Sequence, residues 1–123
     1  MTIEQKLWQL VKRLLEKTIE GSISWEATPR GNNYQTAFPK FSVRIGEIRP
    51  SGQEAPDYVI TVYDEDGLEI ERASDVELRN SVEELKISGD AFRTMSDLYS
   101  RARRAALGVD EALDHLLSSL DES

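Results

Sequence analysis

The chain has 123 residues, of which 39% are hydrophobic and 31% are charged, a composition typical of a folded domain rather than a disordered chain. It contains no Cys, which excludes disulfides, thiolate metal sites and a cysteine nucleophile. Its net charge of −8 disfavours non-specific binding to nucleic acid or anionic lipid, because both need a cationic protein surface.

The first predicted element is an amphipathic helix near the N-terminus. Thr2 and Gln5 have the spacing of a capping box, and Gly21 occupies the position of a left-handed C-terminal cap. Between them, apolar residues recur with the period of a helix, namely Ile3, Leu7, Leu10, Val11, Leu14, Leu15 and Ile19. We expect this stripe to be buried against the apolar face of a sheet, with Trp8 at the margin of the contact.

Alternation of apolar and polar residues predicts four or five short strands in the middle of the chain. The first three cover residues 23–27, 34–38 and 41–45. In the third, Phe41, Val43 and Ile45 are expected to face the core. Two prolines and a glycine indicate a loop over residues 49–56. The strands are predicted to form a mainly antiparallel meander.

The strongest strand signal is DYVITVYDEDGLEIER, residues 57–72, which predicts a hairpin. Residues 64–67 suit a type I turn followed by Gly67 in the left-handed region, where glycine has no steric penalty. The turn would pair Asp64 with Leu68, Val62 with Ile70 and Ile60 with Arg72. One face would then carry Tyr58, Ile60, Val62, Leu68 and Ile70.

A two-residue turn at Asp66 and Gly67 is the alternative for this hairpin. It would pair Val62 with Glu71 and Tyr63 with Ile70, which mixes apolar and charged residues on both faces. Because a slip of one residue exchanges the two faces of a strand, the cleaner segregation favours the bulged turn.

The segment 73–88 allows two interpretations. Ser74 and Glu77 have capping-box spacing, which favours a short helix. Three apolar residues fit one helical face, namely Leu78, Val82 and Leu85. The segment is poor in apolar residues, however, and an extended excursion fits it equally well.

Two helices are predicted to follow. The longer begins at Asp90 and runs to about Leu107, and Gly108 is suited to end it. Its apolar side consists of Phe92, Met95, Leu98, Tyr99, Ala102 and Ala106. Asp110 can cap a short last helix, which carries Ala112, Leu113, Leu116, Leu117 and Leu120.

The predicted fold is α+β, a single domain spanning residues 1–123. A four- to five-stranded antiparallel meander is packed on one face by an N-terminal helix and a C-terminal helix, with a short last helix. No apolar run approaches the roughly 20 residues of a membrane span. The N-terminus lacks a signal-peptide pattern, since Lys, Arg and Glu interrupt its apolar residues, and a cytoplasmic location is expected by default.

The sequence offers little that could carry catalysis. His115 is the only histidine, with Glu111 and Ser119 at helical spacing on either side, and in an acidic helix it is expected to be a solvated surface residue. There is no P-loop, dinucleotide-binding glycine fingerprint, nucleophile elbow or zinc motif. We therefore predict a protein that is not an enzyme and needs no cofactor.

The acidic hairpin tip from Asp64 to Asp66, with Glu69 and Glu71, raises the question of calcium. In an EF-hand loop the glycine is the sixth residue and helices flank the loop, whereas Gly67 here comes fourth and strands flank it. A solvated tip whose charges discourage edge aggregation is the better interpretation, and no metal site is predicted.

Four arginines of the Asp90 helix are the candidate binding residues: Arg93, Arg101, Arg103 and Arg104. Guanidinium groups pair bidentately with oxyanions, so the cluster would suit a phosphate or an acidic partner. The alternative is that cations are favourable near a helix C-terminus and pair with the abundant carboxylates.

Two further basic patterns have simpler interpretations. Trp8 lies among the lysines of the first helix, but acidic residues dilute the resemblance to a membrane-surface or calmodulin-target helix. A sheet face combining aromatic and basic residues would suit base stacking; its members would be Trp25, Tyr34, Tyr63, Arg30 and Arg44. Residues after position 20 carry a net charge of −9, which makes nucleic acid an unfavourable partner.

Three stretches resemble a widespread kind of small bacterial domain of unknown function. They are LLEKT with the residues from Gly21 to Trp25, the strand pair YVITVYDEDGLEI, and LYSRARRAALGVDEALDHLL. Such domains have a leading helix, a meander sheet and a C-terminal helical pair, and the similarity skips residues 75–88. It implies a bacterial or phage intracellular setting and a non-enzymatic role, and it assigns no partner or site residue.

The leading functional hypothesis is a non-catalytic protein-interaction or regulatory module whose acidic surface suits a basic protein partner. The alternative is a small-molecule, nucleotide or phosphate-binding domain that uses the arginines at 93, 101, 103 and 104. An exposed edge strand or the leucine-rich last helix would also suit a homodimer.

Overall fold

The chain folds into a five-stranded antiparallel sheet and five helices, and the computed structural model describes all 123 residues. The helices are α1 (Ile3–Glu20), α2 (Asp75–Ser81), α3 (Glu83–Ser88), α4 (Ala91–Ala106) and α5 (Val109–Asp121). The strands are β1 (Glu26–Ala27), β2 (Asn33–Ala37), β3 (Phe41–Ile48), β4 (Asp57–Asp64) and β5 (Glu69–Ser74). Each strand pairs with its neighbour in sequence, which confirms the predicted α+β meander.

Helices cover one face of the sheet and leave the other face open. α4 lies against β1 to β4, and α1 packs along α4 and α2. All of these elements except β1 contribute to one core of 19 buried residues, in which Val11, Ile45, Ile60 and Leu98 are 0% exposed. The predicted packing of an N-terminal and a C-terminal helix on one sheet face is therefore confirmed.

Aromatic contacts fix α4 on the sheet. The Tyr99 ring of α4 lies 5.6 Å from that of Tyr34 on β2 and 5.4 Å from that of Tyr58 on β4. Burial of its phenol raises the pKa of Tyr99 to about 12, with a smaller contribution from the neighbouring Tyr34. Phe92, at the start of α4, packs against Tyr58 at 5.5 Å but stays 41% exposed.

The predicted caps of α1 are confirmed. The Gln5 amide donates to Thr2 Oγ1 at 3.0 Å, the Thr2 amide donates to Gln5 Oε1 at 2.8 Å, and Gly21 has a φ of +76°.

The predicted marginal position of Trp8 is wrong, because this side chain is 4% exposed and belongs to the core. α1 has two helical neighbours, α4 and α2, so its buried arc is wide enough to include Trp8 beside the Leu7 and Val11 stripe.

The predicted turn of the β4–β5 hairpin is confirmed. The Gly67 amide donates to the Asp64 carbonyl at 3.1 Å, the Asp64 amide donates to the Leu68 carbonyl at 2.9 Å, and Gly67 has a φ of +84°. Asp64 Oδ1 accepts from the amides of Asp66 and Leu68, both at 2.9 Å. The Asp64 carboxylate therefore braces the turn.

The predicted register beyond the turn is wrong. Tyr63 pairs with Glu69 but Val62 pairs with Glu71, so Ile70 is an extra residue in a bulge. The bulge shifts the rest of β5 by one position, and Ile60 pairs with Ala73 instead of Arg72. As a result Ile70, which was expected on the buried face, is 49% exposed, whereas Ala73 is buried at 3%. Leu68, also expected on that face, precedes the bulge and is 64% exposed at the hairpin turn.

The third strand is longer than predicted, and its inward residues are Val43 and Ile45, as expected. Phe41 was expected to face the core and does not, since it is 47% exposed. It pairs with Asp64 at the hairpin-turn end of the sheet, where the side chains stay accessible to solvent. β1 is also shorter than predicted, with two residues.

Within the segment 73–88, the first two residues end β5 and the rest forms the helices α2 and α3, so the extended alternative is wrong. The predicted capping box is present: the Glu77 amide donates to Ser74 Oγ and the Ser74 amide donates to Glu77 Oε1, both at 3.1 Å. The three apolar residues that were predicted to share one helical face, Leu78, Val82 and Leu85, are at most 2% exposed. Few apolar residues suffice because these three are buried in the core.

Asp75 links α2 to the sheet. Its carboxylate is 5% exposed, and Oδ1 accepts a hydrogen bond from the Tyr58 amide at 2.9 Å. Burial raises the pKa of Asp75 above its ordinary value of 3.8, even though the hydrogen bond from Tyr58 acts in the opposite direction. The native state thus binds a proton here more tightly than the unfolded chain does.

Asp75→Ala should lower the free energy of unfolding at neutral pH by about 1–3 kcal/mol, because it leaves the buried Tyr58 amide without an acceptor. Asp75→Asn keeps an acceptor oxygen and removes the buried charge, so it should be far milder. Because the pKa of Asp75 is higher in the folded state than in the unfolded chain, the wild type loses folding stability as the pH rises from 3.8 through the folded-state pKa. Asp75→Asn has no carboxyl group to titrate at this position, so the wild type should lose stability relative to this variant over that pH interval.

Urea unfolding of the three proteins from acidic to neutral pH measures these differences. The account of Asp75 is contradicted if the Asn variant is destabilised as much as the Ala variant at neutral pH.

Gly108 lies between the last two helices, α4 and α5. α4 follows Asp90 as predicted, and Gly108, with a φ of +63°, is the N-cap of α5. The predicted cap at Asp110 is therefore wrong, because this residue lies in the first helical turn. None of the five helices combines the length and the apolar character needed to cross a membrane.

Candidate interaction surface

The helix α5 projects from the body of the protein. α4 is its one substantial neighbour, and none of its residues is buried. The other long helices each bury an apolar stripe in the core, as Met95 and Leu98 of α4 do at 0% exposure. The apolar side of α5 faces solvent instead.

The apolar residues of α5 follow the spacing of a helix that packs against another helix. Val109, Leu113, Leu116 and Leu120 recur at intervals of four, three and four residues, the spacing of a and d positions in a coiled coil. We call these four residues the α5 seam; Ala112 and Leu117 flank it. The leucines at 113, 116, 117 and 120 are 53%, 56%, 60% and 69% exposed, so a continuous apolar strip is open along the helix.

The opposite side of α5 is acidic. Its carboxylates are Asp110, Glu111, Asp114, Asp121 and Glu122, and residues 109–123 contain no Lys or Arg. No ion pair of the protein involves any of them. The helix therefore combines an uncovered apolar strip with uncompensated negative charge.

A groove extends the seam toward the end of α1. It encloses about 770 Å³ between the α4–α5 junction and the segment that follows α1. Ile23 lines one side, whereas Val109 and Leu113 line the other and belong to the seam as well. Trp25 forms part of the wall, and its indole Nε1 donates to Thr18 Oγ1 at 2.9 Å, which holds the wall in place.

The four candidate arginines of α4 do not converge on one pocket. Arg101 Nε donates to Asp97 Oδ1 at 2.9 Å in an exposed ion pair. Arg103 is about 160° around the helix from Arg101, and Arg93 is roughly 12 Å along the axis from it. Arg104 is the one member that lines the groove. A binding role for these four residues stays a prediction.

The other candidate features of the sequence have structural explanations. His115 is exposed on α5, and the Ser119 hydroxyl donates to its backbone carbonyl at 2.9 Å rather than to its ring. No group of three His, Asp or Glu side chains is arranged to hold a metal ion. The α5 surface remains as the feature that the fold itself does not use.

Comparisons with protein families, with curated protein sequences and with solved structures found no significant match to this chain.

Proposed function

We propose that the protein is a non-catalytic interaction module that binds a basic amphipathic helix of a partner protein along α5. The observation that supports this most strongly is the exposure of the α5 seam in a chain whose other long helices bury their apolar stripes. The partner helix would lie along the seam and reach into the groove beside Ile23.

Burial of the seam leucines and of the flanking Leu117 would contribute a substantial part of the binding free energy. Fully burying a Leu side chain is worth about 1.5–3 kcal/mol, so covering four leucines that are 53–69% exposed would contribute about 4–7 kcal/mol. Association itself costs about 4–15 kcal/mol of lost freedom. The apolar contact alone therefore falls short of tight binding, and charge pairing would add to it.

The charge of α5 favours a basic partner over a second copy of this chain. A homodimer would place two copies of α5 side by side, each with five carboxylates and no Lys or Arg, in a chain that already carries a charge of −8. Lys or Arg on a partner helix would instead be attracted by the negative charge of α5, with Asp110 as the carboxylate beside the seam, and such attraction raises the association rate and selects the partner. Regulation of a basic nuclease or nucleic-acid-binding protein in the cytoplasm of a bacterial cell is a role that such an interaction would suit.

Two designed helical peptides test the partner chemistry. Both are about three heptads long with Leu at a and d, and one carries Lys at the flanking e and g positions where the other carries Glu. We expect the Lys peptide to bind with micromolar affinity in fluorescence anisotropy. Its binding should weaken as salt shortens the Debye length from about 30 Å to about 8 Å.

The Glu peptide is the matched control, since it offers the same apolar strip with the opposite charge. Equal binding of both peptides would remove the role assigned to the carboxylates of α5. Absence of binding by either peptide would contradict the proposed function, and so would a stable dimer of this chain at micromolar concentration in sedimentation velocity.

A further inference from the structure

The sheet face opposite the helices is uncovered and carries a row of polar side chains across four strands. Gln35, Arg44, Thr61 and Arg72 are successive cross-strand neighbours on β2, β3, β4 and β5. Arg72 lies on the open face because of the bulge in β5. Without the bulge it would pair with Ile60 and lie on the helix-covered face. This face is separate from α5 and its groove.

A small cavity, which we call the cup, lies on this face beside the polar row. It encloses about 310 Å³. Val59 and Thr61 line it and are each only 7% exposed, although no helix covers them. The surrounding side chains account for their burial, with Arg30 from the β1–β2 loop, Tyr63 from β4 and Arg72 from β5 around the cup.

The loop that carries Arg30 is held against the sheet by hydrogen bonds. The Thr28 hydroxyl donates to the Asn33 carbonyl at 3.1 Å, and the Glu47 amide donates to the Asn32 carbonyl at 3.0 Å. The Asn33 side chain occupies the space beside Gly46 where a Cβ atom would lie, so the loop approaches β3 closely because residue 46 is a glycine. The backbone that bears Arg30 is thus anchored at the rim of the cup.

The arginines of this face have no carboxylate partners. Arg30, Arg44 and Arg72 make no ion pair, although the chain has 23 acidic residues. Arg44 Nε donates to Gln35 Oε1 at 2.7 Å, and its guanidinium lies 4.7 Å from the centroid of the Tyr63 ring. The guanidinium of Arg44 therefore fixes the ring of Tyr63 at the wall of the cup. Two acidic residues also line the cup, Glu47 of β3, which forms an ion pair with Arg49 at 3.8 Å, and Glu69 of β5.

We propose that the cup binds a small phosphorylated ligand with a planar ring, the chemical class of a mononucleotide. Arg30 and Arg72 would pair with the phosphate oxygens, since guanidinium groups form bidentate hydrogen bonds with oxyanions. Tyr63, held by Arg44, would contact the ring of the ligand by stacking. Thr61 pairs with Arg72 and lies two residues from Tyr63 on β4, so it would lie between the phosphate and the ring of the ligand.

The dimensions and the charge favour a small ligand over a nucleic-acid strand. About 310 Å³ is at the lower end of the range for small-molecule sites. A strand would carry many phosphates toward a protein of charge −8, whereas a mononucleotide needs only the local guanidinium pair.

NMR titration of the ¹⁵N-labelled protein with adenosine monophosphate, adenosine or inorganic phosphate tests the proposal. We expect saturable shifts of the Gly46, Thr61 and Arg72 amides with adenosine monophosphate. The dissociation constant should be at least about tenfold lower than that of adenosine or of phosphate alone, a difference of about 1.4 kcal/mol.

Substitution at the rim provides the second half of the test. Arg72→Gln and Arg30→Gln each change an exposed side chain and should each weaken binding at least about tenfold. Arg13→Gln, which changes an exposed side chain on α1, is the matched control and should leave binding unchanged. Having two rim variants keeps the test decisive if one of them fails to fold.

The proposal is overturned if adenosine monophosphate gives no saturable shift, if inorganic phosphate binds equally well, or if the rim variants bind like wild type. Tighter binding of a single-stranded oligonucleotide than of the mononucleotide would also overturn it, in favour of a nucleic-acid surface. None of these results bears on α5, so this test and that of the proposed function can fail independently.

Discussion

Leu98→Ala is expected to lower the free energy of unfolding by about 3 kcal/mol, the largest loss that we predict for a single side chain. Leu98 is 0% exposed on α4, the helix that contacts β1 to β4 on one side and α1 on the other. Truncation removes buried methyl groups and leaves a cavity where these layers meet, and such changes cost about 2–5 kcal/mol. Urea unfolding followed by circular dichroism measures the loss.

Leu117→Ala provides the matched control, because it makes the same chemical change on α5. Leu117 is 60% exposed, so its truncation should change the free energy of unfolding by less than about 0.5 kcal/mol. Similar losses from Leu98→Ala and Leu117→Ala would contradict the described packing, since they would mean that α5 is part of the folded core.

The paired substitution Leu116→Ser and Leu120→Ser should weaken binding of the Lys-flanked peptide at least about 30-fold. The two leucines are 56% and 69% exposed, and burying the exposed part of each would contribute about 1–2 kcal/mol. The free energy of unfolding should stay within about 0.5 kcal/mol of wild type, because neither side chain packs in the core. Peptide anisotropy and urea unfolding on the same samples separate the two effects.

Leu68→Ser combined with Ile87→Ser is the control for this pair. Leu68, in the turn before β5, is 64% exposed, and Ile87, on α3, is 89% exposed. Their replacement therefore removes exposed apolar surface that is away from α5. Peptide binding should be unaffected. If both double variants weaken binding alike, the contact is non-specific and the α5 seam has no special role.

Local sequence signals predicted most of the elements because their causes are local. The capping box at Thr2 and Gln5, the left-handed glycines at 21 and 67, and the periodicity of α1 and α4 each depend on residues within a few positions of one another. The structure contains all of them.

The sequence-based predictions were wrong where contacts between residues far apart in the chain determine the structure. The bulge at Ile70 places Ala73 opposite Ile60 in the core, and alternation within the hairpin alone favoured a different register. Trp8 is buried because α1 has two helical neighbours. Residues 75–88 form helices because Leu78 and Leu85 join a core built mainly from other elements.

The exposure of the α5 seam is likewise not predictable from local sequence. The leucine pattern of α5 is the pattern of a helix that packs on something, and nothing local tells whether the partner is within the chain or outside it. Likewise, Ile23 has no sequence signal for its position in the groove, which forms between segments far apart in the chain. The aromatic and basic pattern did group Arg30 with Tyr63, both of which line the cup, but it also included Trp25 and Tyr34, which are buried in the core. The arginines of α4 formed a visible cluster in sequence, yet the helix distributes them around its surface.

The central claim is that the apolar side of α5 binds a partner rather than completing the fold. The most direct measurement is a map of amide shifts in the ¹⁵N-labelled protein on addition of the Lys-flanked peptide. We predict saturable shifts confined to the leucines of α5 and to Ile23 across the groove, with the open sheet face unchanged. Shifts spread over other surfaces, or an unchanged α5 at saturating peptide, would contradict the claim.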